Sequence, residues 1–197
     1  MEDQNSNRPL YDYVSGLRLT LKAWPMIAAA TIGLCYLTQL VAGWFGIDLE
    51  EQKTVQMMRD MGIYTWKTFK ESGFLELFRH KASQKFLINI PLVLLLAPIL
   101  EEAIFRGLLT RLAAGKAFLS AHIGRRTIIC AIFSSALFSL AHYLQTPDKN
   151  NAFLALFFFG LAQCWLYRKT GRLWCAILNH GLFNLTNLVL MFLLPEA

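Results

Sequence analysis

Five ionisable side chains stand inside apolar stretches of this chain: Glu101, Glu102, Arg106, His142 and His180. Asn184 and Asn187 follow in equally apolar surroundings. Charged groups placed this way usually face a bundle interior and pair with one another. Glu102 and Arg106 are at i, i+4 with the acid first, the better order for an intrahelical pair. Glu101 then lies about 100° around the helix, without a local cation. Phe138 and His142 share a helical face, and so do His180 and Asn184. Two carboxylates, two imidazoles, a guanidinium and an amide on three elements can activate water. A carboxylate takes the proton and an imidazole holds the same water. An amide and a second imidazole can donate to an oxyanion. A salt-bridge cluster without chemistry would use the same residues. Against it, Leu at each position would enter a membrane at lower cost.

The element that must carry the acids reads KFLINIPLVLLLAPILEEAIFRGLLTR, from Lys85 to Arg111. A charge at the centre of a span costs roughly 2.5–3.5 kcal/mol, so three cost on the order of 7–10 kcal/mol. Fifteen Leu, Ile, Val and Phe between Phe86 and Leu109 return roughly 5–9 kcal/mol. The sums nearly cancel, so this span, about Phe86 to Thr110, needs partners for its charges. Pro91 and Pro98 each remove a backbone donor and leave carbonyls near Leu87 and Leu94 without a helical partner. A kink just before Glu101 is expected.

The whole chain has 197 residues, 55% of them hydrophobic, with mean hydropathy +0.41. The apolar residues fall in long blocks, which indicates a polytopic membrane protein. The net charge of +6 does not point to nucleic acid, because the basic residues flank the blocks. Cys35, Cys130, Cys164 and Cys175 stand singly and read as small buried hydrophobes. Residues 1–22 form a polar tail, and no cleavable signal peptide is evident.

The first span is expected from Ala23 to Ile47, with Pro25 in its first turn and Trp24 and Trp44 as an aromatic belt. Asp48 to Gln84 reads as one or two amphipathic interfacial helices, with Val55, Met58, Gly62, Trp66 and Phe69 as the apolar stripe, or alternatively as a solvated helical loop. Arg111 to Arg126 is a basic connection. Further spans are expected at Thr127–Leu144, Asn151–Tyr167 and Leu173–Leu194, with a polar turn at Gln145–Asn150. The fold class is therefore all-α: a helix bundle of about five transmembrane helices plus interfacial amphipathic helices. The chain divides into the tail 1–22, a first span and interfacial loop 23–84, and a polar-cored bundle 85–197. With five spans the N-terminal face collects ten Lys and Arg against eight on the other. The positive-inside rule then places the N-terminus in the cytoplasm. On ideal spans His142 is about 22 Å along its helix and His180 only about 10 Å along its own. A later start of the third span, or tilting, must bring them together.

Three of these groups, in order, resemble the motifs of the CPBP family of intramembrane proteases. This is the Abi or CAAX-prenyl-protease type, which includes the type II CAAX prenyl endopeptidases. Glu101-Glu102-Ala-Ile-Phe-Arg106-Gly107 is similar to its EExxxR motif, Phe138 to His142 to its FxxxH motif, and His180 to Asn184 to its HxxxN motif. Tyr167 to Trp174 is similar to the phrase that precedes the last motif. The resemblance covers about Phe86 to Asn187. It implies an α-helical intramembrane endopeptidase of the bacterial plasma membrane, acting on a membrane-associated protein or peptide, CAAX-type or prenylated substrates included. By resemblance Glu101 is the general base, His142 holds the water, and His180 and Asn184 stabilise the intermediate. Glu102, Arg106 and Phe138 are the supporting residues. A divalent metal such as zinc would have Glu101, Glu102, His142 and His180 as ligands. No HExxH is present, and open zinc sites usually take three protein ligands, so a glutamate mechanism without stoichiometric zinc is expected. The rival from another class is a non-catalytic immunity or scaffold protein of the same family. A proton-coupled transporter is a further alternative, but no inverted repeat supports it.

Overall fold

The computed structural model describes residues 12–47, 49, 53–120, 123–144 and 152–193. The polar turn Gln145–Asn150 and most of the N-terminal tail lie outside the described residues. Among the described residues there are six longer helices and no strand. They are α1 (Tyr13–Trp44), α2 (Lys53–Ser72), α3 (Lys81–Ala114), α4 (Arg125–Tyr143), α5 (Phe153–Thr170) and α6 (Leu173–Leu193). Short 3₁₀ turns at Phe74–Phe78 and Gly115–Leu119 flank α3. By length and composition α1, α3, α4 and α6 are long and apolar enough to cross a membrane.

α5, expected from the sequence as a span, is not one of these four. Ser139 donates to the Phe153 carbonyl and Gly160 packs on Ser135, so α5 runs antiparallel to α4. Gln163 reaches Asn179 and Phe159 packs on Phe183, so α6 runs antiparallel to α5. Half of the residues of α5 are buried against these neighbours, while Phe153, Leu154, Phe158 and Trp165 stay exposed. Gln163 is fully buried there, Arg168 donates to the Phe118 and Ser120 carbonyls, and Lys169 is exposed near the end of the helix. Gly171, at φ 69°, adopts the left-handed conformation that ends α5, and its N–H bonds the Tyr167 carbonyl at 2.8 Å.

α1 begins ten residues before the expected Ala23, within the stretch read as a polar tail. Asp12 caps it, accepting from the Ser15 N–H at 2.6 Å. That bond holds the Asp12 carboxyl below the usual carboxylate range. Pro25 is consequently inside the helix, not in its first turn. Trp24 is no belt residue either: it is half-buried and its Nε1–H donates to Thr186 Oγ1 at 3.0 Å. α1 lies parallel to α6, with Tyr13 stacked on Trp174 at one end.

In α2 the buried stripe is Met58, Gly62, Thr65 and Thr68, which packs towards α3 and α6. Trp66 and Phe69, expected on that stripe, are exposed and stacked on each other. The small residues allow close helix packing, and the aromatic rings are left facing outward. Cys130, Cys164 and Cys175 are buried and Cys35 is half-buried, and no disulfide joins any of them.

α3 is one continuous helix of 34 residues. Leu92–Leu96 and Ala103–Leu109 are π-helical, so the acids sit on a short α-helical stretch, Ala97–Glu102, between two widened turns. Such turns are frequent at functional sites. The first follows from the prolines. The Ala97 N–H bonds the Leu92 carbonyl, five residues back. In that register the donor missing at Pro98 is lost to Val93, not to Leu94 as the α-helical spacing predicts. Asn184 Nδ2 supplies it, donating to the Val93 carbonyl at 2.8 Å. The Leu94 carbonyl faces Gly181, where an added Cβ would lie 2.6 Å from its oxygen. Glycine there lets α6 approach α3 backbone to backbone. In the second π stretch Ser134 donates to the Phe105 carbonyl at 2.7 Å, and Thr110 to that of Arg106. Above Glu101, α3 packs on α6 and α2; below it, α3 packs on α4.

Candidate active site

Glu102 and Arg106 are fully buried, and Arg106 Nη1 donates to Glu102 Oε1 at 3.1 Å. The same oxygen accepts from His180 Nδ1 at 2.9 Å. One carboxylate oxygen therefore ties two turns of α3 to α6. Phe138 closes the space beneath: the guanidinium carbon lies 4.5 Å from its ring centre, a cation–π distance. Phe105 meets Phe138 edge-on, and Phe159 meets the His180 ring edge-on at 5.1 Å.

Glu101 is differently placed. Its side chain keeps 27% of its surface, and Oε2 has no hydrogen-bond partner. His142 Nε2 lies 3.8 Å and His180 Nε2 3.7 Å from that oxygen. Both separations exceed a hydrogen bond. The other ring nitrogens fix which atoms carry hydrogen. His142 Nδ1 is 3.0 Å from the Phe138 carbonyl, which only accepts, so Nδ1 carries the proton. His180 Nδ1 faces a carboxylate already paired with Arg106, so it too is the donor. In the neutral imidazoles both Nε2 atoms then present lone pairs towards Glu101 Oε2. Three proton-accepting atoms converge with no donor between them, an arrangement that calls for a molecule bringing its own hydrogens, such as water.

α4 starts at Arg125, earlier than expected, so a late start is not what brings His142 to His180. The His142 ring instead folds back one turn to its own Phe138 carbonyl, and the long Glu101 side chain reaches between the two imidazoles. Asn184 is on the same face of α6 as His180 but spends one N–H on Val93, leaving its second N–H and its carbonyl oxygen. Two buried residues went unread from the sequence. Gln163 Nε2 donates to Asn179 Oδ1 at 3.0 Å, one residue before His180. Gln163 is the one amide in the apolar run 153–166, and that isolation was the available signal.

The fit of a zinc ion can be tested on the same atoms. Ligand bonds of about 2.0–2.1 Å at tetrahedral angles put donors roughly 3.3 Å apart. The separations of 3.7 and 3.8 Å are wider. Glu102 Oε1 is committed to Arg106 and His180, and among the described residues no group of three His, Cys, Asp or Glu is arranged to hold a metal.

The family model for type II CAAX prenyl endopeptidases, Rce1-like, matches residues 83–186. That stretch is just over half of the chain and holds every residue of the cluster. The chain belongs to this family. No curated protein and no solved structure matches it. The Rce1-like family is one of proteases, and with its four long apolar helices this member is an integral membrane protein. The match leaves out α1, α2 and the end of α6, yet α1 packs on the core beside the site. Ala28 belongs to the same buried cluster as Phe138, Phe159 and Phe183, with Trp24 and Ile27 packed against it.

Proposed function

We propose that this Rce1-like protein hydrolyses a peptide bond of a membrane-associated substrate with water activated by Glu101. The observation that carries the reading is the convergence of His142 Nε2 and His180 Nε2 on Glu101 Oε2 without a donor among them. A water lodged there gives one hydrogen to Glu101 and one to His142. Its oxygen attacks the carbonyl carbon as its proton passes to Glu101. The oxyanion that forms is met by the spare N–H of Asn184 and by His180 after its Nε2 takes a proton from solvent, to which that proton returns on product release. Glu102 supports that second proton, since it already holds Nδ1–H. Collapse of the intermediate breaks the C–N bond, and Glu101 returns its proton to the leaving amine. Arg106 stays hydrogen-bonded to Glu102 throughout, and Phe138 holds Arg106 and His142 in place.

The family description makes prenylated CAAX-type peptides the first substrates to try, and the balance of Lys and Arg favours a cytoplasmic N-terminus, which we place in a bacterial plasma membrane. The test compares cleavage of a farnesylated CAAX peptide by the purified protein and by Glu101→Gln. Gln keeps shape and hydrogen bonding but accepts no proton. A fall of about 10²–10⁴-fold is expected. Full activity in Glu101→Gln assigns the base elsewhere. A parent that cleaves nothing favours a non-catalytic scaffold or immunity role.

A further inference from the structure

Gln163 and Asn179, the buried amides that the steps above leave idle, belong to a closed circuit of six side chains on α3, α5 and α6. Glu102 accepts from Arg106 and from His180. Asn179, the residue before His180, accepts from Gln163. Cys164, the residue after Gln163, lies beside Arg106 and so returns the circuit to α3. Both α5 and α6 also touch the stretch Ala103–Leu109 that carries Arg106. Glu102, Arg106, Gln163 and Asn179 are fully buried. Five of their polar atoms nevertheless have no hydrogen-bond partner: Glu102 Oε2, Arg106 Nε and Nη2, Gln163 Oε1 and Asn179 Nδ2. Burying such atoms unmet is costly, most of all on charged groups.

The five atoms complement one another, as three donor nitrogens and two acceptor oxygens. Turning both amides over still leaves one donor and one acceptor on them. A water brings two hydrogens and two lone pairs, so one water answers both oxygens and two of the nitrogens. The remaining Arg106 nitrogen belongs to a guanidinium with the Cys164 sulfur and the Phe138 ring beside it. A buried Arg–carboxylate pair with nothing between its second arms favours a two-pronged contact. Here the pair makes one contact, at 3.1 Å.

We propose that this ring holds a water, and that through it Gln163 and Asn179 are positioning residues for His180. The catalytic consequence rests on the peptidase reading; the water site does not. The water keeps Glu102 Oε2 and the second arm of Arg106 apart, so that Oε1 stays available to His180 Nδ1–H. That hydrogen leaves the Nε2 lone pair turned to Glu101 Oε2. Without an amide the water loses a partner, and Arg106 closes on Glu102 with both arms. The hold on Nδ1–H weakens, and the ring hydrogen moves to Nε2, where the attacking water should sit.

The test is NMR on the full chain in nanodiscs, isotope-labelled at the nitrogens of His, Asn and Gln. Signals are assigned by their loss in His180→Gln, Asn179→Leu and Gln163→Met. In the parent, magnetisation should pass from a long-lived water to the side-chain N–H of Asn179 or Gln163, and His180 should carry its hydrogen on Nδ1. Gln163→Met and Asn179→Leu keep the volume and remove the amide. In each, the transfer to the remaining amide should vanish and the Nε2–H form of His180 should rise about tenfold. Cleavage of the farnesylated CAAX peptide should fall in kcat by a similar factor with KM unchanged. No transfer from water to either amide in the parent overturns the proposal, and that measurement decides even where a variant fails to fold. A folded variant whose His180 spectrum matches the parent also overturns it, and a lowered melting temperature with that spectrum reduces the amides to interhelical glue. The spectra need no turnover, so a parent that cleaves nothing refutes the peptidase reading while the water and the His180 signals still judge the ring.

Discussion

Glu102 holds Arg106 and His180 through one fully buried oxygen, while Glu101, the residue before it, faces two imidazoles across gaps too long for hydrogen bonds. The same substitution should therefore do different things at the two positions. Glu102→Gln strands the Arg106 charge in the interior, at a cost of about 3–5 kcal/mol. Thermal unfolding in detergent should show that loss before any change in peptide cleavage is interpretable. Glu101→Gln should unfold like the parent or slightly above it, because an unpaired charge is gone. Equal destabilisation by both would make the cluster a structural one. At this scale the Glu102–Arg106 pair was legible from four-residue spacing alone, because both partners are on one helix. The hold of His180 on Glu102 was not, since it spans 78 residues. Nor was the Val93 bond of Asn184, whose acceptor is a backbone atom that no side-chain pattern marks.

The helices themselves were visible as apolar blocks, and the prolines announced a break before Glu101. The π register was hidden because it depends on donors that arrive from elsewhere: Ser134 from 29 residues away and Asn184 from 91. Pro98→Ala tests this directly. It restores an N–H to α3 and removes the reason for a side chain to serve Val93. A Pro in a helix interior costs about 3 kcal/mol, so the variant should melt higher. Relaxing the π turn also rotates the acids relative to His142 and His180, so cleavage should fall although no site residue has changed. A variant with parental activity would show that the widened turn does not set the geometry of the acids. The early start of α1 escaped notice for a simpler reason. Residues 13–22 are mixed in polarity, and only the Asp12–Ser15 cap marks the boundary.

Across the whole molecule, the class of fold followed from composition, whereas the place of α1 did not. Nothing in its sequence distinguishes a peripheral span from one that closes the core over Phe159 and Phe183. Trp24 joins it to α6 by one hydrogen bond. Trp24→Phe keeps most of the ring and removes that bond, so about 0.5–1.5 kcal/mol of stability should go. The readout is the melting temperature in detergent, with an unchanged value indicating that α1 is held by packing alone. α5 shows the opposite limit of sequence reading. It appeared as a short aromatic span, and its buried Gln163 is explained only by Asn179 on α6.

The intrahelical pair on α3 also has a bearing on how the chain is made. Synthesis proceeds at roughly 5–20 residues per second. The 78 residues between Glu102 and His180 therefore take roughly 4–16 s to emerge. During that interval α3 must do without His180, and for about the first half of it without His142 as well. Arg106 travels one turn behind Glu102, so the helix brings its own counter-ion, and only Glu101 crosses without a charge partner on the same helix.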